Sequence, residues 1–261
     1  MSNQSIIFFD IDGTLLDFDK KLPESTKKAV FDLKARGHEV AIATGRAPFM
    51  FDDIRKELEI DTYVSYNGQY VVLRGEVLYT NPLNKDALLE LTQTALEQNN
   101  PLVYMDAEDM RASVPEEDEM ITTSIHTLKV SKFPTYDPLY HQGREIYQCL
   151  LFCIGDAEKK YEQDFKSFDF IRWHPMSVDV LPAGGSKAHG IAKITEKLGF
   201  PKERQYAFGD GLNDVEMLKQ IYNSVAMGNA EPEAKAVARH ITKSVDENGI
   251  LHGLQMVGLL D

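Results

Sequence analysis

Four short, largely apolar runs set the frame for this chain: Ile6-Ile7-Phe8-Phe9 and Val40-Ala41-Ile42-Ala43 early, Tyr206-Ala207-Phe208 and Ser224-Val225-Ala226-Met227 late. Each is too short for a helix and lacks the polar alternation of a half-exposed strand. Each therefore reads as a strand buried on both faces, as in the middle of a parallel sheet. Helical patterns separate them. Pro23 opens one that carries Val30 and Leu33 and that Gly37 closes; others cover Phe49 to Leu58, Lys187 to Leu198 and Val215 to Gln220. Tyr63-Val64-Ser65-Tyr66 adds a strand, and Gln69 to Leu73 with Glu76 to Thr80 reads as a hairpin turning at Arg74-Gly75. The fold class is α/β, with the two ends of the chain sharing one sheet.

That sharing makes the middle of the chain an insertion. Leu83 to Leu181 has its own strands at Leu102 to Met105, Glu145 to Cys153, Phe170 to Trp173 and Val178 to Leu181, and helices at Asp86 to Gln98 and Ala157 to Phe168. Asn81-Pro82 and Pro182-Ala183-Gly184-Gly185 punctuate its ends as hinges do. Two domains are expected, residues 1–82 with 183–261 and residues 83–182, which also suits a length of 261 residues. Glu108 to His141 is too irregular to assign.

Charge and cysteine usage remove several function classes. Twenty-eight basic against forty-one acidic side chains leave a net charge of −13, which opposes unspecific binding to nucleic acid or anionic membrane. No apolar run approaches the roughly 20 residues that a membrane-spanning helix needs. Met1-Ser2-Asn3-Gln4-Ser5 has no basic residue and leads straight into the first apolar run, unlike a cleavable signal peptide, so a cytoplasmic protein is expected. Cys149 and Cys153, four apart in a β-like run, read as reduced core thiols on one face. There is no HExxH pair for zinc, no GxSxG elbow and no nucleotide-binding glycine loop, and the single Trp173 reads as core.

Chemistry concentrates where the buried runs end. Asp10-Ile11-Asp12-Gly13-Thr14 puts two carboxylates two residues apart at the C-terminal end of a buried strand, where open parallel sheets hold their ligands. One carboxylate can attack phosphorus while the other passes a proton to the leaving oxygen and later takes one from water. An Asp-capped turn with Gly13 is the plain alternative. Thr44-Gly45-Arg46 offers a hydroxyl and an approachable amide to phosphate oxygens, although a Thr N-cap with Arg46 in a salt bridge explains it equally well.

Lys187, directly after the candidate N-cap Ser186, sets a cation against the helix dipole at a cost of about 0.3–1 kcal/mol. A functional site produces such local violations, and a solvated surface lysine is the alternative. In Gly209-Asp210-Gly211-Leu212-Asn213-Asp214, Asn213 or Asp214 can serve as a helix cap, but Asp210 has no such duty. Beside Asp10 and Asp12 it makes a hard oxygen site of the kind Mg²⁺ prefers. Charge calls for the cation, because two unit negative charges about 4 Å apart repel by roughly 4 kcal/mol at an effective dielectric near 20. Asp10, Asp12, Asp210 and Asp214 would repel a phosphate dianion unless Mg²⁺ and Lys187 reversed that balance. The same crowding is expected to raise one carboxylate's pKa, with Asp12 as the proton carrier.

Taken in order, Asp10-Ile11-Asp12-Gly13-Thr14, Thr44-Gly45-Arg46, Lys187 and Gly209-Asp210-Gly211-Leu212-Asn213-Asp214 resemble the four motifs of the haloacid dehalogenase (HAD) superfamily. Their spacing is similar to that of its Cof-type hydrolases, and Asn67-Gly68 matches a further turn usual there. The resemblance implies a Rossmann-like parallel-sheet core with a large inserted α/β cap. It also implies a magnesium-dependent phosphatase that acts on small-molecule phosphomonoesters through an aspartyl-phosphate. It makes Asp10 the nucleophile and a metal ligand, Asp12 the acid/base that lends its backbone carbonyl to Mg²⁺, and Asp210 the remaining protein ligand. By the same resemblance Ile11 (backbone), Thr44, Gly45, Lys187 and Asn213 hold the phosphate, and Asp214 supports the metal from behind its direct ligands. Asp12 separates this chain from the dehalogenases proper, which lack that second carboxylate and need no magnesium. Sugar phosphates, a flavin-pathway phosphate and pyridoxal phosphate are the substrate types suggested.

Two rival functions suit the same residues. A sensor that binds a phosphorylated metabolite would leave the Asp10 and Asp12 pair without a purpose, because binding alone needs no proton carrier. A phosphotransferase or phosphomutase, returning the phosphoryl group to another hydroxyl, is not separated by sequence. A receiver domain also clusters Asp with Thr and Lys but has no need of so large an insertion. Within the insertion Arg111, Arg172, His174 and Asp179 are candidates for contacting the rest of the substrate, with ordinary surface roles as the alternative. Oligomeric state is left open.

Overall fold

A computed structural model describes residues 4–115, 117–130 and 132–261. Met1, Ser2 and Asn3, on which part of the signal-peptide expectation rests, and Glu116 and Ser131 of the unassigned stretch lie outside the described residues. In chain order the strands are β1 (Ile6–Phe9), β2 (Glu39–Ala43), β3 (Tyr63–Ser65), β4 (Tyr70–Leu73), β5 (Glu76–Thr80), β6 (Leu102–Met105), β7 (Met110–Ala112), β8 (Thr135–Tyr136), β9 (Gln148–Phe152), β10 (Phe168–His174), β11 (Ser177–Pro182), β12 (Gln205–Gly209), β13 (Asn223–Ala226) and β14 (His240–Ile241). They form two sheets, ordered β14-β13-β12-β1-β2-β3-β4-β5 and β10-β11-β9-β6-β7-β8. The fold is α/β. No described helix is long and apolar enough to cross a membrane.

The chain divides into two compact units. Met1–Arg46, Asp52–Tyr79 and Ser186–Asp261 make the first; Ala47–Phe51 and Thr80–Gly185 make the second. In the first, β1 lies between β12 and β2 and is parallel to both, and its four side chains are fully buried. An apolar run without polar alternation is what such a two-sided burial selects. β2 with β3, β12 with β13 and β13 with β14 are also parallel, and β3 with β4 is an antiparallel step. The β4 to β5 turn uses Arg74 and Gly75, both at positive φ, as the tight two-residue hairpin requires.

Several elements depart from the sequence reading. The helix expected over Phe49 to Leu58 is a short 3₁₀ turn, Pro48–Met50, followed by a helix Asp52–Glu57. Phe51 parts them: its φ of −130° and ψ of 17° leave the helical region, and its ring is buried. The helix expected to reach Phe168 ends at Asp164, because Phe168 already begins β10 by pairing with Pro182. The strand expected over Glu145 to Cys153 is only Gln148–Phe152. The unassigned stretch holds β7, β8 and a helix Glu119–Thr127, whose N-cap Asp118 accepts from the Met120 and Ile121 amides. In the second unit Leu88, Leu91, Tyr104, Cys149, Tyr161 and Val178 belong to one apolar cluster, which Cys153 joins. Both cysteines are free and buried, and burial pushes the Cys149 thiol well up, which suits an inert core thiol.

Candidate active site

β1, β2 and β12 run parallel and end side by side, so the residues that follow them meet at one edge of the first sheet. Asp10 follows β1, and its N–H donates to the Phe208 carbonyl of β12 at 3.0 Å, extending the ladder by one residue. Lys187 is the first residue of the helix Lys187–Leu198, whose N-cap Ser186 accepts from the His189 amide at 3.3 Å. Its ammonium is wholly buried and donates to Asp10 Oδ1 at 2.5 Å and to Asp214 Oδ1 at 2.7 Å. Two carboxylates thus offset the unfavourable placement of a cation at a helix start.

The loop after β12 is tied by its own acids. Asp214 Oδ2 accepts the amides of Asp210 and Gly211, both at 2.9 Å. Asp210 accepts from the Thr14 hydroxyl at 2.9 Å and from the Asn229 amide at 3.3 Å, and Asn229 also donates to the Gly13 carbonyl at 2.9 Å. Gly13 has a φ of +78°, and a Cβ there would lie 2.2 Å from Asp210 Oδ2, so no side chain fits.

Carboxylate oxygens of Asp10, Asp210 and Asp214 lie within 4.8 Å of one another. This is an oxygen-only, strongly anionic donor set, which fits a hard divalent cation such as Mg²⁺. The strain of the arrangement shows in its protonation. Burial raises the Asp10 carboxyl well above the usual range; Lys187 opposes this, while Asp214, Asp210 and Asp12 add to it. Burial, with Asp214 next, raises Asp210 to about 6. Burial alone would lower the Lys187 pKa, but Asp10 and Asp214 reverse that and raise it.

Asp12 behaves differently from expectation. Burial pushes its pKa up, but hydrogen bonds and charge from Arg46 and Lys20 outweigh burial and lower it. Arg46 grips both oxygens, Nε to Oδ2 at 2.7 Å and Nη2 to Oδ1 at 2.6 Å, and Lys20 Nζ reaches Oδ1 at 2.5 Å. The expected rise in carboxylate pKa therefore falls on Asp10 and Asp210. The Asp12 side chain stands outside the three-carboxylate cluster, and Asp214, expected behind the metal ligands, stands within it.

The other sequence-derived residues cluster nearby. The Thr44 hydroxyl accepts the Arg46 amide at 3.1 Å, a cap that leaves its proton to donate. A Cβ on Gly45 would come 3.1 Å from the Asn67 amide, and Asn67 Oδ1 accepts from Asn213 Nδ2 at 3.2 Å. The Ile11 side chain is fully buried, and its carbonyl closes the turn by accepting the Leu16 amide at 2.8 Å. Sequence reasoning missed Lys20 and Asn229. Asn229 follows a buried strand closely, the one signal that marks it; Lys20 carries none.

The four candidates of the second unit have separate fates. Arg111 pairs with Asp109 and lies over the Tyr140 ring at 5.4 Å. Arg172 binds Glu158 through Nε at 2.9 Å and Nη2 at 2.5 Å, and through Nη1 the carbonyls of Cys153 and Pro175 at 3.1 and 2.9 Å, which commits it to holding loops together. His174 Nδ1 accepts the Met176 amide at 3.2 Å and lies 3.0 Å from the Ser124 hydroxyl. Asp179, in β11, is raised to about 7 by burial.

The sequence pattern of a family described as haloacid dehalogenase-like hydrolase matches residues 7–254. A Bacillus subtilis (strain 168) protein named “Putative phosphatase YkrA” is 47% identical over 258 residues, covering 99% of this chain and 99% of its own. The crystal structure of a hypothetical protein from Geobacillus kaustophilus HTA426 superposes with a TM-score of 0.95 at 53% identity, over 99% of this chain and 100% of that one. The sugar phosphatase BT4131, of HAD subclass IIB, superposes with a TM-score of 0.85 at 29% identity, over 98% of this chain and 100% of that one.

Proposed function

Because the chain belongs to the haloacid dehalogenase-like hydrolases and is a phosphatase, we propose that it hydrolyses small-molecule phosphomonoesters, of the sugar-phosphate type, through an aspartyl-phosphate on Asp10. The observation that carries this reading is the buried Lys187 bridging Asp10 and Asp214. It favours the ionised Asp10, the form a nucleophile needs, although burial works against it. An Asp10 oxygen attacks phosphorus, the bond to the leaving oxygen breaks, and that oxygen takes a proton from Asp12. Water then attacks the phosphorus of the acyl phosphate and returns a proton to Asp12, and the bond to Asp10 breaks to release inorganic phosphate.

Asp12 must be protonated for the first step, whereas Arg46 and Lys20 hold it as a carboxylate. An anionic substrate competes for both cations and so relieves that hold. The Ile11 backbone, Thr44, Gly45, Lys187 and Asn213 supply the donors for the phosphoryl oxygens. Asp10 and Asp210, with the Asp12 backbone carbonyl that the family resemblance implies and with Asp214 in the same carboxylate cluster, would hold Mg²⁺, which would neutralise the gathered negative charge. The second unit acts as the cap over residues 83–182 that the family resemblance implies. Buried free thiols and acidic charge support a cytoplasmic setting.

Release of inorganic phosphate from a panel of small phosphomonoesters, with and without Mg²⁺, tests the reading in the wild type and in Asp10→Asn. Magnesium-dependent release that vanishes in the variant is expected. No release from any compound would sink hydrolysis and favour the sensor, and label transferred to an added sugar instead of water would favour the phosphotransferase.

A further inference from the structure

The loop that follows β1 is built to present one side chain. The Gly13 N–H donates to the Leu16 carbonyl at 2.9 Å and the Leu16 N–H to the Ile11 carbonyl at 2.8 Å, and Leu15 and Leu16 are buried, so the turn that carries Asp12 is closed. Asp17 to Lys21 then close on themselves. Asp17 Oδ1 accepts the Asp19 and Lys21 amides, both at 2.9 Å. The Asp17 N–H donates to the Lys21 carbonyl and the Lys20 N–H to the Asp17 carbonyl, both at 3.0 Å. These bonds tie Lys20 at a φ of 62°, a left-handed backbone that residues with a side chain disfavour. Its ammonium turns back over 8 residues to Asp12 Oδ1 at 2.5 Å.

Arg46 also grips Asp12, but it directly precedes Ala47–Phe51, which belongs to the second unit. Lys20 and Asp12 both lie in the first unit, in the segment that follows β1, so this hold depends on that unit alone. The two side chains are 29% and 36% exposed, and an ion pair that open contributes little to stability. A strained backbone maintained for such a pair is explained by what the pair does to Asp12.

We propose that Lys20 is a positioning residue that fixes the direction of the Asp12 carboxyl and names Oδ2 as the oxygen that delivers the proton. This rests on the reading of Asp12 as the acid. A proton carried on Oδ2 leaves the bond from Lys20 to Oδ1 intact, so the carboxyl keeps its direction whether or not it carries the proton. In the first step the bond between phosphorus and the leaving oxygen breaks and that oxygen takes the Oδ2 proton. Asp12 is left as a carboxylate, with the ammonium already beside the charge that develops. Three N–H donors let the ammonium turn another toward an arriving phosphoryl oxygen without releasing Oδ1.

A leaving group that departs without a proton bypasses this role. The full-length protein with Mg²⁺ is assayed for kcat/KM, which covers the steps through the first bond cleavage, on two kinds of ester. One is para-nitrophenyl phosphate, whose phenolate needs no acid; the others are the terminal phosphates of glycerol, ribose and glucose, whose alkoxides do. In Lys20→Met a loss of about tenfold or more is expected for the alkyl esters and of less than about twofold for the aryl ester, because a displaced acid forfeits part of what proton transfer supplies. Lys20→Arg, which returns a cationic donor to Oδ1, is expected to recover the alkyl esters to within about threefold of the wild type. Asp17→Ala loosens the loop from a distance and is expected to show the same preference, which decides the matter if Lys20→Met folds poorly by circular dichroism. Equal losses on both kinds of ester, the mark of a structural or phosphate-binding role, or no recovery in Lys20→Arg would overturn the proposal. Asp12→Asn keeps the two readings apart. If it spares the aryl ester and Lys20→Met does not, Lys20 alone is excluded; if it too loses both alike, Asp12 is not the acid and the mechanism proposed above fails with it.

Discussion

Lys187 shows how much one residue can hold. Its ammonium is the cation shared by two buried carboxylates, and a third, Asp210, lies close to both. Removing one partner of a buried ion pair typically costs roughly 3–5 kcal/mol, because the other charge stays desolvated. Lys187→Met keeps the apolar stem and loses the charge. In urea unfolding without metal it is expected to lose about 3 kcal/mol, and Mg²⁺ is expected to recover part of that by replacing the missing positive charge. A loss below about 1 kcal/mol would show that Asp10 simply takes up a proton and that the pair does not organise the site. Arg46 was open to reading as a mere salt-bridge former; its salt bridge proves to be with Asp12, which links two motifs 34 residues apart.

At the level of elements, the turns after β1 and β12 matter more than the strands themselves. The first turn brings Gly13 against the Asp210 carboxylate at a φ that favours glycine. Gly13→Ala incurs about 1–2 kcal/mol for a left-handed backbone and also drives a methyl into Asp210. The expected outcome is a marked loss of Mg²⁺ affinity by calorimetry with unchanged sheet content by circular dichroism; unchanged affinity would remove Asp210 from the metal site. Where an element is set by its own pattern, sequence reading and structure agree: the helix Lys187–Leu198 and the strand Leu102–Met105 have the expected limits. Where a neighbour decides, they part. Phe51, a buried residue of the Ala47–Phe51 segment that belongs to the second unit, interrupts the expected helix, and Phe168 leaves a helix for a strand because Pro182 lies opposite it.

Over the whole molecule, the raised carboxyls give a testable link between pH and metal. A carboxyl whose folded pKa is raised costs nothing while protonated in both states. Its cost accumulates as pH climbs from the unfolded value toward the folded one, about 6 for Asp210 and about 7 for Asp179. Metal-free stability is therefore expected to fall between roughly pH 4 and 7 on account of these groups, with Asp12 working in the opposite sense at the acid end because its pKa is lowered. With Mg²⁺ held by the ionised Asp10 and Asp210 as proposed, the rise in melting temperature that it produces is expected to be small at pH 5 and to grow through pH 6 to 7. A metal-induced shift independent of pH across that range would contradict the site. Asp179→Asn separates the second contribution, since its melting temperature relative to the wild type is expected to rise over the same window.

The buried strands, the acids at their ends and the α/β class follow from the sequence by itself, because an apolar run broken by a charge is a local fact that any compact fold must respect. The pairing of distant residues does not. Thr14 meets Asp210 across 196 positions, Asn229 reaches Gly13, Arg46 and Lys20 capture Asp12, and Ala47–Phe51 joins the second unit. Strand order and the direction in which each turn leaves its strand set those distances. These are properties of the assembled sheet, and they alone determine which carboxylates share Lys187 and which one is held apart by Arg46 and Lys20.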